Sequence, residues 1–325
     1  MVRRRSLLAC LPGPAALPAI RAAYAQPWPS GPIRGVVPFA PGSATDTVAR
    51  LFAEAMRPSL GQVIVIENRA GAGGMLGAEF VARATPDGMT VLFGTNSTHA
   101  AATALFRRVP FDAERDFTPV STLASVPLVL CVGKDSRYAT LADLLADARA
   151  RPETITYAQA SASQHVAVEM MTAMAGVRML MVPYRASPLA AQDLIAGRVD
   201  LFAADPSVML SHIQAGSIRA LAVTSRVRAP QLPDVPTVAE AANLADYELF
   251  AWFLLLCPVG TSAAIVSHLN ASVRAAAASP DLQARLSSGL GMAVFPSSPE
   301  EAALFIRTET RKWTSAIRSA GIQPE

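Results

Sequence analysis

From residue 33 onward, short apolar runs alternate with helical patterns, and that alternation limits the chain to α/β architectures. Residues 33–39 read as a strand. Residues 45–59 read as a helix with Val48, Leu51, Phe52 and Ala55 on one face, and 63–66 as a second strand. A small-residue helix over 73–83 and a Pro86-Asp87-Gly88 turn lead to a strand at 90–93 and a further helix. A second run begins near 126–132. It continues as helix 141–150, strand 155–157, helix 164–175, strand 179–182, helix 187–197, strand 199–202, helix 206–215 and strand 218–223. Such βα repeats imply parallel sheets with right-handed crossovers. Beyond a proline-marked linker (Pro230, Pro233, Pro236) come one long apolar strand, 249–257, and three helices. The last of these opens on Ser298-Pro299-Glu300-Glu301 and reads as a capped amphipathic helix packed on the core. The expectation is an α/β chain of two domains, 26–124 with 226–325, and 125–225. Each is a mostly parallel sheet flanked by helices.

Residues 1–25 stand apart. They hold Arg3, Arg4, Arg5 and Arg21, no Asp or Glu, a weak apolar stretch and an Ala23-Tyr24-Ala25 end. That is the pattern of a cleaved export signal, with the cut after Ala25. Arg4-Arg5-Ser6-Leu7-Leu8 and the poor hydrophobicity favour the twin-arginine route over general secretion. The other reading is a disordered, uncleaved tail. Leu7-Leu8-Ala9-Cys10 mimics a lipoprotein box but lies too near the start. Export would place the body in the periplasm.

The formal charge of +3, from 28 Lys and Arg against 25 Asp and Glu, then changes sign. Without the four arginines the body has 24 cations and 25 acids, a net of −1. No basic cluster remains, which argues against a nucleic-acid partner. Hydrophobic residues are 51% and charged residues 16%, as a folded chain with a sizeable core requires. No run after residue 26 reaches about 18 apolar residues free of charge or proline, so no membrane span is expected. The cysteines, Cys10, Cys131 and Cys257, form no CxxC or Cys/His cluster, so neither a metal nor a cofactor is expected. In an oxidising compartment Cys131 and Cys257 could pair. Their apolar surroundings favour two buried free thiols.

Open α/β sheets bind ligands beyond the carboxyl ends of their strands. Four loops at such places share small and hydroxyl residues directly before a helix. They are Pro41-Gly42-Ser43-Ala44-Thr45-Asp46, Gly94-Thr95-Asn96-Ser97-Thr98-His99, Ala160-Ser161-Ala162-Ser163-Gln164-His165 and Tyr184-Arg185-Ala186-Ser187. Small side chains let an anion approach the N–H groups at helix starts. The bland account is ordinary helix capping. Four loops from both halves favour a ligand cleft. Gly71-Ala72-Gly73-Gly74-Met75-Leu76-Gly77 lacks the Lys-Ser/Thr of a P-loop and reads as a tight turn into a closely packed helix. His99 and His165 are expected at the cleft as capping or lining groups, and His212 and His268 as structural. Asp46 and Asp205 are the cleft acids.

Several stretches together resemble one family. They are Val37-Pro38-Phe39-Ala40-Pro41-Gly42 with Thr45-Asp46, Glu67-Asn68-Arg69 with the glycine turn, Ala84-Thr85-Pro86-Asp87-Gly88, Gly94-Thr95-Asn96, Val182-Pro183-Tyr184 and Leu232-Pro233-Asp234-Val235-Pro236-Thr237. The set is similar to the Bug-type receptors of tripartite tricarboxylate transporters, over essentially the whole chain after Gln26. The resemblance implies a periplasmic two-domain Venus flytrap (type II), a monomer that closes on a small carboxylate and hands it to a membrane permease. It implies a first wall of Phe39, Gly42, Ser43, Thr45, Asp46, Thr95, Asn96, Ser97 and Thr98. The second wall would be Ser161, Ser163, His165, Tyr184, Ser187 and Asp205. Departures from the family pattern fall mainly on that second wall: a shorter 158–165 loop, Ala186 for glycine, and Ala204 where an aspartate is frequent. An enzyme (a hydrolase or isomerase) built on Asp46 or His165, or a solute sensor docking a signalling protein, are the rival expectations.

Overall fold

The computed structural model describes residues 28–324. The export signal, its cleavage site and Cys10 lie outside the described residues. Two sheets organise the chain. The first contains β1 (Ile33–Val37), β2 (Ile64–Asn68), β3 (Thr90–Thr95) and β4 (Phe117–Pro127). The second contains β5 (Val129–Gly133), β6 (Thr156–Gln159), β7 (Leu180–Pro183), β8 (Leu201–Ala204) and β9 (Ile218–Val223). The chain then returns to the first sheet as β10 (Phe250–Pro258) and β11 (Ala293–Val294). The strand orders are β11-β4-β10-β3-β1-β2 and β7-β6-β8-β5-β9.

Both sheets have the parallel block that βα repeats require, along one side: β2-β1-β3 in the first and β7-β6-β8 in the second. Each is then completed antiparallel, by β10, β4 and β11 or by β5 and β9. The sheets are therefore mixed rather than mostly parallel: β5 and β10, the strands that receive the chain from the other sheet, run against the parallel strands. β10 lies between β3 and β4 and is buried from Ala251 to Pro258, as its apolar sequence demands.

The helices are α1 (Ala44–Leu60), α2 (Met75–Ala82), α3 (Ala102–Leu105), α4 (Leu141–Ala150), α5 (Ala162–Ala175), α6 (Ser187–Ile195), α7 (Pro206–Gln214), α8 (Val238–Ala242), α9 (Ala263–Ala277), α10 (Pro280–Leu290) and α11 (Pro299–Ser319). None of the described helices is long and apolar enough to cross a membrane. In α1, Ser43 accepts the Asp46 N–H as N-cap, Val48, Phe52 and Met56 face the core, and Gly61 ends the helix in the left-handed region. The glycine turn does enter a closely packed helix: a Cβ on Gly77 would lie 2.8 Å from Pro38 Cα. Helix α11 carries the expected capping box from Ser298 to Glu301. Its Glu309 accepts from the indoles of Trp252 and Trp313, at 2.9 and 3.0 Å, which pins the helix to β10. Cys131 and Cys257 are free and buried, one in each sheet.

The two sheets exchange chain at one place. Leu128, between β4 and β5, donates its N–H to Thr224 Oγ1 at 2.7 Å, and Thr224 N–H donates to Leu128 O at 2.9 Å. Thr224 Oγ1 donates to Leu249 O, and Leu249 N–H donates back to Thr224 O. Thr224 thus ties both crossings together immediately after β9 and before β10.

Candidate functional site

Helices α1, α5, α6 and α7 point their N-termini at one cavity between the two sheets. The first sheet supplies Phe39, Ser43, Thr45, Thr95, Asn96 and Ser97. The second supplies Ser161, Ser163, Ser187 and Asp205. The walls touch directly: Ala162 N–H donates to Ser97 Oγ at 3.2 Å. Gly42, with φ of +78°, faces the Pro188 ring across the gap.

The first wall is held from behind. The Asp46 carboxylate accepts from Gly42 N–H (3.0 Å), Asn68 Nδ2 (2.9 Å) and Arg50 Nε (3.0 Å), with Arg50 Nη2 at 3.0 Å from its second oxygen. Asn68 Nδ2 also donates to Phe39 O. Burial works against the Asp46 anion, yet the Arg50, Gly42 and Asn68 hydrogen bonds outweigh it and hold the carboxyl below its ordinary range. Asp46 therefore fixes the 39–43 loop and does not line the cavity, contrary to the sequence expectation. Gly42 is likewise a backbone turn beside the cavity.

The 94–98 loop has a similar support. Thr95 N–H donates to Thr98 Oγ1, and Thr98 Oγ1 donates to Thr95 O. Thr98 Oγ1 lies 2.8 Å from His99 Nδ1, and the His99 ring meets Phe117 edge-on at 4.8 Å. Residues 97–101 form a π-helical turn, so Ser97 faces the cavity while Thr98 and His99 face away. Thr98 is thus a loop brace rather than a lining group. Burial lowers the His99 pKa to about 3, so its ring is neutral.

Asn96 is the most informative lining residue. It is 1% exposed, and its Oδ1 accepts Trp252 N–H at 3.3 Å. That bond fixes the amide orientation. The Nδ2 end, a double donor, has no hydrogen-bond partner among the described residues. The N–H groups of Ala44 and Thr45, in the first turn of α1, also lack intrahelical acceptors.

On the second wall Ser161 makes no capping bond and instead lies 3.0 Å from Ser163 Oγ. Gln164 accepts Ala160 N–H and donates to Ser187 Oγ at 2.9 Å. Asp205 is 6% exposed, and burial pushes its pKa up to about 6 against the pull of its own N–H and of Gln164. Two expected members are elsewhere. Tyr184 donates its hydroxyl to Asp193, which also binds Arg198. His165 lines a separate small cavity with Gly73, Leu105, Phe106, Gln159 and Gln323, and burial lowers its pKa to about 4. In a helix start, neighbours in sequence point about 100° apart, so the residues of one loop motif divide between lining the cavity and bracing it.

Eight lining residues were not among the expected wall residues: Ala40, Ala44, Ala160, Gln164, Arg185, Ala186, Ala251 and Phe253. Gln164 and Arg185 stood inside recognised motifs. Ala251 and Phe253 are alternate residues of β10, a signal visible only once that strand is placed beside β3. A wider groove beside Phe106, Phe111 and Arg115 is an open surface trough of mixed charge with no helix starts converging on it.

The comparisons agree with this geometry. Residues 48–322 match the model of the tripartite tricarboxylate transporter family receptor. A protein from the tcbD-tcbE intergenic region of Pseudomonas sp. strain P51 is 41% identical over 319 residues, covering 97% of this chain and 94% of that one. Among solved structures, R. palustris Rpa4515 with adipate superposes with a TM-score of 0.88 at 36% identity. It covers 92% of this chain and 100% of its own. The periplasmic binding protein BugD gives 0.87 at 32% identity with the same coverage. Two mixed sheets, a cleft at their helix starts and a family match over most of the length place this chain in the Bug-type receptor family of tripartite tricarboxylate transporters.

Proposed function

We propose that the chain is a periplasmic solute-binding receptor that captures a small carboxylate between its two walls and presents it, as a monomer, to a permease of the tripartite tricarboxylate type. One observation carries this reading: the buried, unpartnered Asn96 amide, which lines the same cavity as the open first turn of α1. A buried donor left without an acceptor costs about 1–3 kcal/mol, and a carboxylate offers four lone-pair directions at that spot. Adipate in Rpa4515 supports the ligand class. The two domains, 26–124 with 226–325 and 125–225, would rotate about Leu128 and Thr224. Ligand binding would offset the cost of closure, and the closed form is what the permease would recognise. Export would use the twin-arginine signal, cut after Ala25.

The cleft favours binding over turnover. Asp46 is fully engaged by donors, His165 lies outside the cavity, and His99 is sealed behind the wall. Those groups are therefore not placed to act as a general base. The test is thermal unfolding of residues 26–325 with a broad panel of organic acids at millimolar concentration. A bound ligand raises the melting temperature by linkage. Absence of any shift across the panel would sink the reading, as would steady consumption of an acid by the protein.

A further inference from the structure

Asp205 is the odd member of a cavity otherwise built from hydroxyls, amides and helix starts. It sits at the N-cap of α7 yet makes no side-chain capping bond. It is 6% exposed and takes part in no ion pair among the described residues. The groups that serve it are neutral: its own N–H and the Gln164 side chain, which is already shared with Ser187 Oγ on α6. An ionised carboxylate has about four acceptor sites, so two neutral donors leave it under-served. The nearest cation in the lining is Arg185, an exposed side chain whose charge water screens. Burial raises the Asp205 pKa only to about 6, so at pH 7 the side chain is mostly an anion.

Resting on the receptor reading above, we propose that Asp205 is the specificity-determining residue of the second wall. It selects a carboxylate whose other end carries an ammonium group over a dicarboxylate. Asn96 and the start of α1 would hold the carboxylate end. The ammonium would then lie against Asp205 and supply the countercharge that the protein lacks. A second ligand carboxylate there would instead meet a like charge in a closed, weakly screened space, which is how binding sites reject a wrong ligand.

The experiment uses matched pairs of equal reach: succinate with 4-aminobutanoate, glutarate with 5-aminopentanoate, and adipate with 6-aminohexanoate. Affinities are measured by calorimetry at pH 7.5 for the parent and for Asp205→Asn, which keeps shape and hydrogen bonding. The parent is expected to bind the amino acid of at least one pair tenfold or more tighter than the diacid. Asp205→Asn should cancel or reverse that ratio while its melting curve stays cooperative. Equal or tighter diacid binding by the parent overturns the assignment, as does an unchanged ratio in Asp205→Asn. If neither protein binds any of the six, and the broad acid panel is also silent, the receptor reading itself falls and takes this assignment with it.

Discussion

The two walls of the cleft are built on different principles. On the first, nearly every polar group is tied down before a ligand arrives. Asp46 and Asn68 lock the 39–43 loop, Thr98 and His99 lock the 94–98 loop, and Trp252 orients Asn96. On the second, the Ser161 and Ser163 hydroxyls pair with each other, Arg185 is exposed, and Asp205 has no countercharge. Preorganisation reduces the cost of binding, so a rigid first wall suits a generic carboxylate anchor. Unfinished groups on the second wall suit discrimination, because only a ligand of matching chemistry completes them.

The largest effect that tests this contrast is expected from Asp46→Ala. It strips Gly42 N–H, Asn68 and Arg50 of their shared acceptor, with about 2–3 kcal/mol of stability lost. Affinity for all carboxylates should fall together, by tenfold or more in calorimetric titration. A variant with intact affinities would show that the first wall needs no bracing.

Next in size is an acid response to which both walls contribute one histidine. Burial holds the pKa of His99 at about 3 and of His165 at about 4, below the ordinary 6.5 of the unfolded chain. Above pH 6.5 neither state binds the proton. As pH falls through 6.5 the unfolded chain takes up protons that the fold refuses, so stability declines, down to about pH 4 for His165 and lower for His99. Each contributes at most about 1.4 kcal/mol per pH unit. Asp205, whose pKa burial raises to about 6, binds a proton in the folded state over the same range and offsets one histidine. Urea unfolding at pH 7, 5.5 and 4.5 should therefore show a shallow net decline, and His165→Gln should remove most of it. An unchanged slope would mean that His165 is open to solvent. The smallest effect is expected from Ser187→Ala, under about 1 kcal/mol in stability. It should reorder affinities among acids. A uniform loss would make the second wall an anchor like the first.

Helix α4 and strand β9 stand at the boundaries read from the sequence, since Thr140 caps one and turn residues flank the other. Strand β4 was not legible: Pro119, Ser121 and Thr122 interrupt its apolar pattern, and it runs into β5 through Leu128 with no turn between. The cleft loops were legible because helix starts need small and hydroxyl residues. Which residue of each loop reaches the cavity was not. The π turn at 97–101 turns Thr98 and His99 away, and no local propensity announces it. Arg185 rather than Tyr184 lines the cavity, and Asp193, nine residues on, captures the phenol.

The placement of β10 between β3 and β4 has a consequence for how the molecule is made. Residues 129–223 hold every strand of the second sheet in one unbroken stretch, so that half can fold as soon as it is synthesised. The first half cannot. Its β3 and β4 wait with bare edges while more than a hundred further residues are added, and nothing joins them until β10 slides between. Such edges invite wrong pairings while they wait. The protein's opening segment thus depends on its closing one. A chain cut ahead of Phe250 would carry a finished second half attached to a first half split down its middle.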